Sequence, residues 1–138
     1  MQDAVTAQGE RVKVRKKKHS DKKRRHFVVA LTSSDQYWGE LFGDNIFYDL
    51  NYSDLFTRMW LNADKAYRKT DLYAFMPKVS QRTAAKYLQQ AIDRGMLIEK
   101  QDAEDRRSRR ITMSSDLRQR IEMYLDYSIS AFEPPANG

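Results

Sequence analysis

A mainly α fold carrying a small β-ribbon is predicted by three signals that follow one another between residues 70 and 114. A short helical run is closed by Pro77, a longer one opens at Ser80 and stops at Gly95, and two β-prone runs then flank an arginine-rich loop. Helix, turn, helix and basic ribbon, in that order, is the layout of a winged helix. Such a module offers one helix to the major groove of duplex DNA and a loop to the flanking backbone.

Size and composition fit one globular domain. The chain has 138 residues, 41% of them hydrophobic and 32% charged, enough to bury roughly 68% of the surface an unfolded chain exposes. No run of 18 apolar residues occurs, and no apolar segment follows the basic N-terminus. Those two features argue against a transmembrane helix and a secretory signal, so no membrane partner is expected. Cysteine is absent, which removes disulfides and thiol chemistry together. Both histidines, His19 and His26, fall in the charged leader, so the folded part lacks the usual nitrogen ligand or general base. With no phosphate loop and no paired-carboxylate motif either, no metal, no cofactor and no enzymatic activity are expected.

Charge is distributed unevenly. Residues 1–26 hold ten Lys/Arg against three Asp/Glu, a local balance of +7, whereas the remainder holds fifteen against sixteen. The leader, with RVKVRKKKHSDKKRRH at its centre, has almost no large apolar side chain to offset its ordering entropy, and it reads as a disordered tail. Two roles stay open for it: added nucleic-acid affinity through counterion release, or simple solubility. Residues 27–138 then form a single winged-helix domain, with the helix-turn-helix and wing at 70–114 and flanking helical segments at 27–69 and 115–133.

The run FVVAL from Phe27 is a strand or the start of a buried helix, since periodicity does not arbitrate at that length. Ser33, Ser34 and Asp35 have the character of a helix cap. Tyr37, Trp38, Phe42, Phe47 and Tyr48 then crowd a segment that Gly39 and Gly43 are expected to interrupt. So much aromatic area needs a cover, either a second subunit, with room for a small apolar effector beside it, or the chain's own core. Ser53 can cap a helix whose stripe is Leu55, Phe56, Met59, Trp60, Ala63 and Ala66 or Tyr67. Thr70 can cap the short run DLYAFM, which Pro77 stops.

Ser80 is a good cap for QRTAAKYLQQAIDRGM. Ala84, Leu88, Ala91 and Gly95 share one face there, while Arg82, Lys86, Gln89 and Asp93 share the opposite one. A helix buried on one side and basic at its exposed start suits groove insertion, where Arg reads guanine and Gln reads adenine. Gly95 ends it, Met96, Leu97 and Ile98 begin a strand, and Ile111 to Met113 form the return strand. Arg106, Arg107, Arg109 and Arg110 gather at the tip, and Arg suits phosphates and a narrow minor groove. Ser115 is the expected cap of a last helix, with a stripe of Leu117, Ile121, Tyr124, Leu125, Ile129 and Phe132.

The segment DRRSRRITMS resembles the wing of the MarR (multiple antibiotic resistance regulator) family, and the resemblance extends over residues 70–114. Asp105 and Arg107 match that family's wing pair, with Met113 and Ser114 where Leu and Thr are usual. The resemblance implies a homodimeric regulator of transcription, cytoplasmic and nucleoid-associated, that binds double-stranded DNA at a pseudo-palindromic operator. It implies that Arg107 enters the minor groove with Asp105 orienting it and with Arg106, Arg109 and Arg110 nearby. Gln81, Arg82, Lys86 and Gln89 would meet bases or adjacent phosphates, and Lys78 and Thr83 would seat the helix on the backbone. A winged helix that serves protein interaction or RNA binding is the competing expectation, because the fold does not dictate the partner.

Overall fold

A computed structural model of the chain describes residues 3–5, 11–43 and 45–134. Its elements run β1 (Asp3–Val5), β2 (Arg11–Lys13), α1 (Asp21–Phe42), a 3-10 turn (Asn45–Tyr48), α2 (Leu50–Trp60), α3 (Lys69–Tyr73), α4 (Gln81–Asp93), β3 (Leu97–Gln101), β4 (Arg109–Met113) and α5 (Ser115–Phe132). The expected α fold with a small ribbon is therefore what forms, and α2 through β4 make up the winged helix.

One buried cluster unites these parts. Leu55, Phe56 and Met59 of α2 meet Leu72 of α3, Ala84, Leu88 and Ala91 of α4, Leu97 and Ile111 of the ribbon, and Leu117 and Ile121 of α5. A side chain as enclosed as Leu88 contributes about 1.5–3 kcal/mol. Ala84 and Ala91 lend little area themselves, but their small size lets the α4 backbone lie close on its neighbours. Ser80 starts α4 as expected, its Oγ accepting from the Thr83 N–H at 3.2 Å. Gly95 ends it at φ +78°, in the left-handed region.

The ribbon is antiparallel, with Leu97 opposite Met113, Glu99 opposite Ile111 and Gln101 opposite Arg109. A third chain segment joins it at one residue. The Tyr67 N–H donates to the Ile111 carbonyl at 2.8 Å, and the Ile111 N–H returns to the Tyr67 carbonyl at 2.7 Å. Tyr67 therefore leaves the helical stripe that spacing suggested for residues 55–67 and becomes a strand partner.

The N-terminal half departs most from expectation. α1 starts at Asp21, so the composition boundary at Phe27 falls inside a helix, and Ser33, Ser34 and Asp35 lie in mid-helix. The cap is Ser20, whose Oγ accepts from the Lys23 N–H, with Asp21 adding favourable charge to the first turn. Upstream, β1 and β2 pair antiparallel where a disordered tail was expected, Ala4 facing Val12. Gly39 does not break α1. It provides room instead, because a Cβ there would sit 1.8 Å from the Tyr48 hydroxyl. The helix stops at Gly43, at φ +57°.

Three caps move by a few residues for local reasons. Asp49, not Ser53, opens α2, accepting from the Asn51 N–H at 2.8 Å. α3 begins at Lys69 rather than after Thr70, with the Arg68 N–H donating to the Asp71 carboxylate at 3.2 Å. Ser114, not Ser115, caps α5, accepting from the Leu117 N–H at 3.0 Å.

α1 and α5 lie side by side and antiparallel. His26 Nε2 is 2.9 Å from the Glu133 carbonyl at one end, and Arg120 meets the Leu41 carbonyl at the other. Phe27 packs on Phe132, Tyr37 on Tyr127 and Trp38 on Tyr124, with ring centroids 4.7, 4.4 and 5.0 Å apart. Trp38, Phe42 and Phe47 are buried in the chain's own core beside Phe56. Of the two covers open to the aromatic segment, the intramolecular one is realised for these three.

A hydrogen-bonded latch ties α4 to the start of α2. The Tyr87 hydroxyl donates to Asp49 Oδ2 at 2.5 Å. The Tyr52 hydroxyl lies 2.9 Å from both the Tyr87 carbonyl and Gln90 Oε1, sharing its one proton between them. Burial works against ionisation of Asp49, yet bonds from Tyr87 and Asn51 outweigh it and hold the carboxyl below its ordinary value. The same bond to Asp49, helped by burial, raises Tyr87.

Two outcomes are expected. Gly95→Ala places a Cβ in the left-handed region and lowers unfolding free energy by about 1–2 kcal/mol, read as a shifted denaturant midpoint at unchanged slope. Tyr87→Phe removes a bond to a charged acceptor and lowers stability by about 1.5–3 kcal/mol at neutral pH. Because the folded-state value of Asp49 is depressed, its stabilisation is present above the unfolded value and lost as pH falls. The gap between wild type and Tyr87→Phe in urea titrations should therefore narrow below pH 3.8.

Candidate nucleic-acid interface

The outer face of α4 is built by subtraction. Once Ala84, Leu88 and Ala91 are turned to the core, a period of 3.6 leaves Gln81, Arg82, Lys86 and Gln89 in solvent, and all four are exposed. Arg82 and Lys86 form no ion pair among the described residues. Gln89 donates to Asp93 Oδ1 at 2.9 Å, one turn on, which steadies its amide. Thr83 is half-buried, its hydroxyl 3.1 Å from the Ser80 Oγ, so it helps close the start of the helix. Lys78, in the turn before α4, is 66% exposed and leans toward Asp54 at 3.8 Å.

The wing loop, residues 102–108, is organised by its own polar groups. The Asp102 N–H donates to the Ser108 carbonyl and the Ser108 N–H to the Asp105 carbonyl, each at 2.9 Å. Gln101 Nε2 donates to the Arg106 carbonyl. Asp105 Oδ1 accepts from the Arg107 backbone N–H at 3.0 Å and lies 3.5 Å from Arg107 Nε. Its firmer bond therefore shapes the turn, and its hold on the guanidinium is loose. The Arg107 side chain is 93% exposed.

The four wing arginines differ. Arg106, Arg107 and Arg109 project into solvent. Arg110 is only 30% exposed, with Nε 3.0 Å from Asp102 Oδ2. Asp102 is held below the usual carboxylate range by the Glu104 N–H first and by Arg110 second. Arg110 thus braces the base of the loop across the ribbon. The alternation of β4 explains the split, since Arg109 and Arg110 must point to opposite faces.

Two kinds of residue escaped the sequence reading. Lys100 is exposed on β3 opposite Arg110 and adds a cation to the ribbon, and its place at the head of the basic loop was a readable signal. Asp49, Tyr52 and Tyr87 fix the orientation of α4, but their partners lie 35 and 38 residues apart, beyond any local pattern.

No protein-family model matches the sequence, and no curated protein matches it. Solved structures do match the fold. A transcriptional regulator of Thermotoga maritima, Tm0710, aligns with a TM-score of 0.55 at 14% identity, over 80% of this chain and 75% of that one. The heme sensor protein PefR from Streptococcus agalactiae, in complex with heme, aligns at 0.50 and 16% identity, over 80% and 76%. Wild-type MarR (apo form) from E. coli aligns at 0.50 and 10% identity, over 78% and 77%. Each alignment spans about three quarters of both chains, so it takes in flanking helices as well as the wing. The chain has the winged-helix fold of MarR-type transcriptional regulators.

Proposed function

We propose that this protein is a sequence-specific, double-stranded DNA-binding regulator of transcription that acts as a homodimer on a pseudo-palindromic operator. The observation that carries the reading is an uncommitted basic face on α4, Arg82 and Lys86, followed in the chain by a wing with three solvent-facing arginines. Arg82 and Gln89 reach base edges in the major groove, Gln81 and Lys86 take bases or neighbouring phosphates, and Lys78 and Thr83 seat α4 on the backbone. Arg107 enters the minor groove with Arg106 and Arg109 beside it, while Asp105 sets the turn that presents it. Arg110 acts from behind, through Asp102.

Dimerisation supplies the symmetry that reads two half-sites. The α1–α5 pair supports it, because Val28, Val29, Leu31 and Ile129 are 50–63% exposed on a helix pair whose inner side is already packed. The flanking segments, 27–69 and 115–133, carry that contact in this proposal. A recess of about 640 Å³ between the start of α1 and the end of α5, lined by Phe27, Val28, Phe132 and Pro134 together with polar and basic residues between His19 and His26, has room for a small effector with an apolar part. A DNA partner puts the protein in the cytoplasm, with the nucleoid, and no catalytic step is needed. Among the described residues no helix is long and apolar enough to cross a membrane.

The competing reading, an RNA or protein interaction module, draws on the near-neutral charge of the body. Selection of bound duplexes from a random pool decides between them, since a regulator returns a site with inverted half-sites, and an unspecific pool overturns the proposal. On the selected site, Arg107→Ala should weaken binding by about 1–3 kcal/mol in a titration. Undiminished affinity removes the wing from the interface. Val28→Asp with Ile129→Asp should convert a dimer to a monomer in sedimentation velocity; a dimer that persists places the contact elsewhere.

A further inference from the structure

The densest positive charge in the molecule is not on α4 or the wing. Residues 11–25 hold ten Lys/Arg and one acid, Asp21. Every side chain in that stretch is exposed. Asp21 takes Arg24 at 2.7 Å, and the other nine cations form no ion pair among the described residues.

Its place in the fold sets it apart from the interface already described. The stretch leads into the start of α1, the end that meets Glu133 at the close of α5. The wing joins the opposite end of α5, where the Ser114 N–H donates to the Met96 carbonyl at the root of β3. Between the two ends lie the 18 residues of α5, roughly 27 Å of helix at 1.5 Å per residue. A single copy of the chain therefore carries this cationic stretch at one end of its helix pair and the root of the wing at the other.

Collecting this charge works against the free protein. Lys22 and Lys23 occupy the first turn of α1, where the helix dipole is positive, and Lys16, Lys17 and Lys18 are consecutive. A polyanion reverses both penalties. The stretch suits a phosphate backbone better than a lipid surface, because residues 15–26 interleave no Phe, Trp or Leu among the cations. Phe27, the first large apolar side chain after them, packs on Phe132.

We propose that residues 11–25 form a second duplex-binding surface. It holds DNA by the phosphate backbone without sequence preference, so one molecule joins two stretches of double helix. The joining rests on the regulator reading above, whereas the surface itself does not.

A two-duplex capture assay on the full-length protein tests it. One duplex, bearing the selected site, is immobilised, and a labelled duplex of unrelated sequence is offered in solution. Wild type should retain the label. A variant with Lys16, Lys17, Lys18, Lys22 and Lys23 all changed to Gln should keep its preference for the selected site but capture at least tenfold less label. Arg at the same five positions should restore capture, because charge and not side-chain shape is required. The slope of log affinity against log salt on unrelated duplex should fall by about 0.9 for each phosphate that Gln leaves unneutralised.

Capture by the Gln variant equal to wild type overturns the proposal, and so does a wild type that captures nothing. If that wild type sediments instead with vesicles containing an anionic phospholipid, the surface belongs to a membrane. The Arg82→Ala, Arg107→Ala double variant separates the two readings. It should lose site preference and still bind unrelated duplex through residues 11–25. If it binds every duplex as wild type does while the Gln variant binds none, the α4–wing assignment fails and the second surface stands.

Discussion

Close packing of α4 against the rest of the domain is the constraint on which the molecule turns. Its inner face offers Ala84, Leu88 and Ala91, so one large side chain anchors it and two small ones bring its backbone near α3 and β3. With that face committed, helical periodicity leaves no choice about what faces outward, and Arg82, Lys86 and Gln89 follow. The ribbon is fixed by the same packing, because Leu97 and Ile111 enter the cluster that buries α4.

Apolar packing is permissive about rotation, and polar contacts remove that freedom. The bonds from Tyr87 to Asp49 and from Tyr52 to Gln90 each join α4 to α2 or its cap. Their directional geometry sets the angle at which α4 meets its surroundings. Asp49 serves twice, closing the start of α2 with one oxygen and holding α4 with the other. The wing receives comparable treatment from Tyr67, whose paired bonds to Ile111 attach it to the chain before α3. Both devices place rigid supports behind residues that themselves stay solvated.

Charge follows the architecture. The body is near neutral, and several of its acids brace cations within the fold. Asp102 holds Arg110, Asp54 lies near Lys78 and Arg58, and Asp64 and Glu122 share Arg118. That leaves the α4 face and the wing tip with cations out of proportion to the domain's total. The leader works on a different principle, with nearly all of its cations unbraced.

Much of this was legible in one dimension. The cap at Ser80, the stop at Gly95, the apolar stripe between them and the arginine-rich return are local patterns, and local patterns determine element type wherever caps and periodicity agree. The α fold with a small ribbon and the solvated face of α4 follow from the sequence alone. What the sequence left open depended on contacts between distant segments. Gly39 reads as a helix breaker until Tyr48 is seen to need its space, and the aromatic run had two equally good covers until α5 lay beside it. Arg109 and Arg110 are indistinguishable as neighbours in a string, and only the pairing register sends one to solvent and the other to Asp102. The tertiary structure decided these points because burial, register and long-range hydrogen bonds depend on three-dimensional distance, which a linear pattern does not encode.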